Sequence, residues 1–259
     1  MKFIKIFVFL LSSSIVAQTS ITAKLIKKVA LNVDKIVDID NFGTTYYINN
    51  STFYLQTKDK TINYSNVQLG DITSANTFNP LKINLFYKDF NSVVVLDNRL
   101  AEIVKIDFNF LQPFRNLTHI STANNNAIWL FDQNTQQLEL FDYISRKTIA
   151  KTLPIDDTII DITSNYNFCW LMSSTFIYAY NYFGSLIYKI PNNGYTSLKV
   201  SHENLFLLKE NQIFFKGKNT TKIKEIKLPQ LLINQFLVTN ETLYIYDDEF
   251  LYQYQLITN

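Results

Sequence analysis

Two stretches decide how this chain is read: SVVVLDNRLAEIVKIDF, from Ser92 to Phe108, and AIWLFDQNTQQLELFDY, from Ala127 to Tyr143. Each is an apolar run ending in an aspartate, a polar turn, and a second run that alternates between apolar and polar residues. Period-2 alternation rich in Val, Ile, Phe and Tyr marks β-strands, and Asp and Asn between such runs mark tight turns. The same sentence recurs along the chain. Its first elements are TTYYINN, SVVVLDN, AIWLFDQ, NFCWLMS, NLFLLKE and ETLYIYDD, with Asn49, Asp97, Asp132, Met172, Lys209 and Asp247 as matching end points. Repeats spaced by roughly 40 residues indicate an array of like supersecondary units.

A third run often follows the doublet, as in TINYSNVQL, KTIAKTLPI, SLIYKIP and TKIKEIKLP, and a semi-polar run such as KIVDID or NLTHIST precedes it. Four short strands per unit predict the blades of a β-propeller. The expected fold is therefore all-β: six four-stranded blades, with strands a to d running outward from a central channel. The last unit is one strand short, and ITAKLIKKVALN near the N-terminus is a strand without a unit. The N-terminal strand is thus expected to complete the last blade and close the ring, which removes two exposed sheet edges. Between Asp71 and Pro80 the first step is long, and the sequence predicts an insertion there.

The doublets resemble six-bladed propellers of the NHL, quinoprotein-like and WD40-like type. NPLKINLFYKDFNSVVVLDNRLAEI, together with VAQ near the N-terminus, is similar to exported propeller-like proteins of flavobacterial type. The resemblance implies a fold and an exported protein, but it carries no functional motif.

The first residues, MKFIKIFVFLLSSSIVAQ, place Lys2 and Lys5 before a short apolar stretch, a serine break and Ala17. That is the pattern of a secretory signal peptide over residues 1–17, leaving 18–259 as a single domain. Its apolar run is shorter than the roughly 20 residues a membrane helix needs. Loss of Lys2 and Lys5 brings the 24 basic residues to parity with the 22 acidic ones. A neutral chain argues against nucleic-acid binding, which depends on excess positive charge. The single cysteine, Cys169, permits no internal disulfide, and its place in FCWLM predicts a small buried hydrophobe.

His119 and His202 are the only histidines and fall on candidate inner strands of different units. No nucleophile elbow, zinc motif, phosphate loop or EF-hand pattern is present. Sorting the turns by face yields one candidate interaction face: Asp97, Arg99, Asp132, Asp156, Asp157, Asp247, Asp248 and Glu249. The opposite face collects Asn-rich turns. A carboxylate ring around a channel mouth could hold a divalent cation or greet a basic partner, but Asp also caps its own turn, so these readings stand side by side. Lysines 24, 27, 28, 222, 224 and 227 are expected on outer strands, where lysine discourages edge pairing.

The function expected from these features is that of an exported, non-enzymatic binding or scaffold protein of the bacterial cell envelope, partnered by another envelope protein. No catalytic residue, cofactor or metal ligand is assigned. Two alternatives accompany it: a propeller hydrolase or lyase with a metal in the channel, and an outer-membrane β-barrel.

Overall fold

The computed structural model describes residues 21–258, so the expected signal peptide lies outside the described residues. Strand β1 (Ile21–Ala30) is followed by a first unit of β2 (Lys35–Ile39), β3 (Thr45–Asn49), β4 (Thr52–Gln56) and β5 (Thr61–Tyr64). The second unit is β6 (Ser74–Asn76), β7 (Ile83–Tyr87), β8 (Ser92–Leu96) and β9 (Glu102–Asp107). The third is β10 (Leu117–Thr122), β11 (Ala127–Asp132), β12 (Gln137–Asp142) and β13 (Lys147–Lys151). The fourth is β14 (Ile159–Ser164), β15 (Phe168–Ser173), β16 (Phe176–Asn181) and β17 (Leu186–Pro191). Then come β18 (Ser197–Ser201), β19 (Asn204–Lys209), β20 (Gln212–Lys216), β21 (Ile223–Lys227), β22 (Gln235–Thr239), β23 (Thr242–Tyr246) and β24 (Phe250–Thr258).

Each of the first four units is its own antiparallel sheet in chain order. The remaining strands form one eight-stranded sheet in the order β18-β19-β20-β21-β1-β24-β23-β22. The fold is all-β and propeller-like: four separate blades plus this larger sheet. An outer-membrane barrel would instead close its strands into a single sheet.

As expected from the spare segment, β1 pairs antiparallel with β24, from Ile21↔Thr258 to Ala30↔Phe250. It touches β21 over only two residue pairs, Ile21↔Ile226 and Thr22↔Lys227. Its lysines 24, 27 and 28 are exposed. β1 is also anchored beyond its end. The fully buried Tyr246 hydroxyl accepts from the Val33 N–H at 3.0 Å and lies 2.9 Å from the Val33 carbonyl.

The second unit corrects the sequence reading. Asp71–Pro80 holds β6, and Ile83–Tyr87 is the second strand of the sheet, so SVVVLDN is the third strand and AEIVKIDF the fourth. β6 is only three residues, SAN, with Ala75 its single apolar side chain, too little to signal a strand. β7 and β8 are buried at every position, so neither shows the alternation that marks a half-buried strand.

The core is a series of clusters, each between successive units. Leu85, Val94 and Leu96 pack on Phe53 and Leu55, while Phe86, Val93 and Val95 pack on Ile128 and Phe141. Trp129 and Leu140 meet Cys169, Leu171 and Tyr180, and Trp170 and Met172 meet Leu205 and Leu207. Phe206 and Ile213 meet Leu243 and Ile245 within the eight-stranded sheet, and Leu237 and Tyr246 meet Ile36 and Ile39. Tyr178 and Tyr180, near-parallel with centroids 6.0 Å apart, belong to this packing, as does Cys169. The inner strands touch in a circuit: β2, β6, β10, β14, β18, β22 and back to β2.

Replacing Tyr246 by Phe leaves the Val33 N–H without its acceptor in a buried site. Urea denaturation of the variant should show a loss of about 1–3 kcal/mol, and an unchanged midpoint would mean this anchor contributes nothing.

Candidate functional site

The inner strands surround a channel of ≈ 850 Å³. In up-and-down sheets, alternate turns lie at the same end. The β2–β3, β6–β7, β10–β11, β14–β15, β18–β19 and β22–β23 turns therefore share one face with the outer turns such as β12–β13 and β16–β17. The remaining turns form the opposite face.

The expected acidic set divides between these faces. Asp132, Asp156, Asp157, Asp247, Asp248 and Glu249 fall together on one. Asp97 and Arg99, in the β8–β9 turn, fall on the other, because the second unit is displaced by one strand. Most of these carboxylates are engaged locally. Asp132 is buried and accepts from the backbone N–H of Asn116 and Asn134 and from the Thr135 hydroxyl at 2.9 Å. Asp97 accepts from the N–H of Arg99 and Ala101. Asp247 accepts from the N–H of Glu249 and Phe250 and from the Tyr252 hydroxyl.

Asp157 gathers the hydroxyls of Ser173, Ser174 and Thr175 and the Thr175 N–H at 3.0 Å. Partial desolvation raises its pKa, but these donors outweigh it and hold the carboxyl below its ordinary range. Asp248 sits at φ 76° and accepts from the Asn234 amide. Asp156, Glu249 and Arg99 are exposed.

With few glycines, left-handed turn positions fall to other residues. Asn50 and Ser51 (φ 48° and 58°) form a two-residue hairpin turn, as do His202 and Glu203 (φ 50° and 64°). His202 is therefore in a turn and not on an inner strand. It is exposed, with Nδ1 3.2 Å from the Ser201 hydroxyl. His119 does lie on inner strand β10, with Nδ1 3.0 Å from the Thr118 hydroxyl, and β14 separates β10 from β18. Burial lowers the His119 pKa and nearby Lys88 adds to this, while Asp161 opposes it. Among the described residues, no three of His, Cys, Asp and Glu gather into a metal-ligating group, and no helix is long and apolar enough to cross a membrane.

Polar groups that the sequence did not single out line the channel. Asp38 on β2 accepts from the Ile39 N–H at 2.8 Å and from the Thr77 hydroxyl at 2.8 Å. Burial raises its pKa more than these bonds and Lys199 lower it. Asp161 on β14 accepts from the Ile162 and Leu198 N–H groups and from the Ser197 hydroxyl. Asp40, Lys35, Lys88 and Lys199 complete the charged lining.

A second unanticipated feature surrounds one mouth of the channel. Phe42 (89% exposed), Phe78, Leu81, Ile144, Tyr166 and Phe183 (65% exposed) all stand on the face of the β2–β3 turn. Phe78 and Tyr166, from alternate units, meet edge-on at 4.9 Å. Asn41, Asn165 and Asn240 lie among them at the channel mouth.

No protein-family model and no curated protein sequence matches this chain. Solved structures do. A streptogramin B lyase superposes with a TM-score of 0.64 at 13% identity, covering 93% of each chain. A catalytically inactive virginiamycin B lyase from Staphylococcus aureus with quinupristin gives 0.60 at 12% identity, covering 89% of this chain and 99% of its own. The Neurospora crassa Pan2 WD40 domain gives 0.58 at 11% identity, covering 88% and 74%. These likenesses concern the fold alone. They and the strand order define the fold as propeller-like, with four four-stranded blades and one eight-stranded sheet.

Two outcomes follow for the site. Asp132→Ala strips three donors of their acceptor and should lower stability by about 1–3 kcal/mol in denaturant titration, whereas a purely surface role would leave it unchanged. A raised carboxyl favours the fold at low pH and loses that contribution as pH rises through its folded-state pKa. Asp38→Asn, which can keep both hydrogen bonds, should therefore raise the melting temperature at pH 7. The gain should vanish as pH falls below about 4.

Proposed function

We propose that this chain is a six-bladed propeller of the exported flavobacterial type, acting as a non-enzymatic binding module of the bacterial cell envelope. Its partner is another envelope protein, held on the aromatic face around the channel mouth. Three features support the blade count. The eight-stranded sheet is bridged through β1 and β21 by two residue pairs only, its halves bury a cluster between them, and six inner strands complete the circuit. Export is supported by the pattern of Met1–Gln18.

The observation that carries the binding role is the contrast between the faces. Carboxylates on the acidic face mostly cap their own turns, leaving Asp156 and Glu249 exposed for a partner. The opposite face presents Phe42, Phe78, Leu81, Tyr166 and Phe183 to solvent beside neutral amides. Aromatic residues concentrate where protein interfaces draw their energy, and an exposed group of them marks a contact surface.

The test is capture from envelope extracts of the native host, with bound protein identified by mass spectrometry. Phe42→Ser combined with Phe183→Ser should lose the partner while Asp156→Lys combined with Glu249→Lys keeps it. Retention by the first pair, or loss by the second alone, would overturn the assignment of the face.

A further inference from the structure

The channel carries an assignment of its own, independent of the partner-binding face. Its lining brings Lys35 of β2, Lys88 directly after β7 and Lys199 of β18 into one cavity with His119 of β10. These three ammonium groups come from three separate units. Their only hydrogen bond among the described residues is from Lys35 Nζ to the Thr73 carbonyl, at 3.2 Å. Ion pairs among the described residues join Arg115 and Lys151 to Glu139 and Lys218 to Glu203, so no channel lysine is in one.

Three carboxylates, Asp38, Asp40 and Asp161, share the cavity, and none is in an ion pair with these lysines. Both oxygens of Asp38 accept from Ile39 and Thr77, and both oxygens of Asp161 accept from Ile162, Ser197 and Leu198. Asp40 Oδ1 accepts from the Phe42 and Thr44 N–H groups, so each carboxylate is hydrogen-bonded within the protein, while the ammonium groups of Lys88 and Lys199 donate to no protein group among the described residues.

Lys35 is open to water along the channel yet hemmed in by protein. Burial and the like charge of Lys199 both oppose its protonated form, with Asp161 acting the other way. Like charges held together in a concave site of reduced dielectric repel more strongly than in bulk water. An anion seated between them would turn that repulsion into attraction and supply the missing acceptors. His119 is kept towards its neutral form by burial and so adds no competing requirement for charge. The volume, ≈ 850 Å³, lies within the range of small-molecule sites, about 300–1,000 Å³.

We propose that the channel binds a small organic or inorganic anion carrying carboxylate or phosphate groups at more than one point, gripped between Lys35 and Lys199 with Lys88 as a third contact. Multiple negative groups are called for because the three lysines enter the cavity from three separate units.

Isothermal titration of the full mature chain with citrate and with pyrophosphate, against sodium chloride matched for ionic strength, tests this and separates the two chemistries. One of the probes should bind saturably near 1:1. Lys35→Met and Lys199→Met should each weaken binding by about tenfold or more. Lys→Gln versions and melting curves show that the variants are folded. Asp38→Asn, which removes a negative charge from the cavity, should tighten binding. No saturable binding of either probe, binding indifferent to both lysines, or loss of binding in Asp38→Asn would overturn the proposal. So would binding only of a peptide ending in two glutamates, which would move the anion to a protein partner. None of these readouts depends on the aromatic face, so failure here and failure of partner capture are distinguishable.

Discussion

The structure depends on one junction, where the last strands of the chain meet its first. β1 completes the pairing of β24 along its length, and at the inner rim β22 packs on β2. The contacts there run from one end of the channel to the other. Gln235 accepts from the Ile36 N–H, the Thr239 hydroxyl donates to the Ile39 carbonyl, and the Asn240 and Asn41 amides join at 2.7 Å. Every other sheet contacts neighbours adjacent in sequence. This junction alone joins residues some 200 positions apart, so it carries the loop-closure entropy of the whole ring. It also protects the edge of β24, which would otherwise offer unpaired backbone groups to another chain.

Closure of this kind explains the distribution of apolar residues. Units that pack face to face around an axis must bury both faces of their middle strands, so β7, β8 and β11 are buried throughout, while the outer β13 and β17 alternate. Innermost strands face a wet channel and carry polar residues such as Asp38, His119, Asp161 and Lys199. Middle strands are therefore the most apolar and inner ones the least, which is why the middle doublet was the signal that stood out in the sequence.

The same physics sets the limit of that reading. In five of the six repeats the most apolar doublet is the second and third strand of a unit, and alignment on it recovers the strand order. In the second unit, Val93, Val94 and Val95 make the third strand as apolar as the second, and the three-residue SAN of β6 is too short to reveal the first. Ser92–Phe108 and Ala127–Tyr143 look alike, yet they are strands three and four of one unit and two and three of the next. That one-strand displacement carried Asp97 and Arg99 to the wrong face. Lys35 and Lys199 could have been found by placing every semi-polar run on an inner strand, whereas Lys88 follows the second strand of its unit. Phe42 and Phe183 could not, because single aromatics in turns have no periodicity to reveal them.

What separates structural charge from functional charge here is whether its hydrogen bonds are filled from within. Asp132, Asp157 and Asp247 stand at turns whose backbone N–H groups need acceptors, and with only five glycines in the chain much of the turn geometry falls to Asp, Asn and Ser side chains. Asp132 and Asp247 hold the same place in two units, at the turn between the second and third strands, while Asp157 caps a turn between units, so their shared face follows from the repeated turn geometry. The buried Arg115 shows the same logic for a cation: its guanidinium meets Glu139 at 3.0 Å, the Thr148 hydroxyl and the Pro113 carbonyl, and it stacks over Phe141. Lys35, Lys88 and Lys199 break the pattern. They do not recur at equivalent positions, and the carboxylates that share their cavity answer to other donors. A repeat architecture supplies its own structural polar groups many times over, so the groups it supplies once, and leaves to solvent, are those a ligand can engage without disturbing the fold.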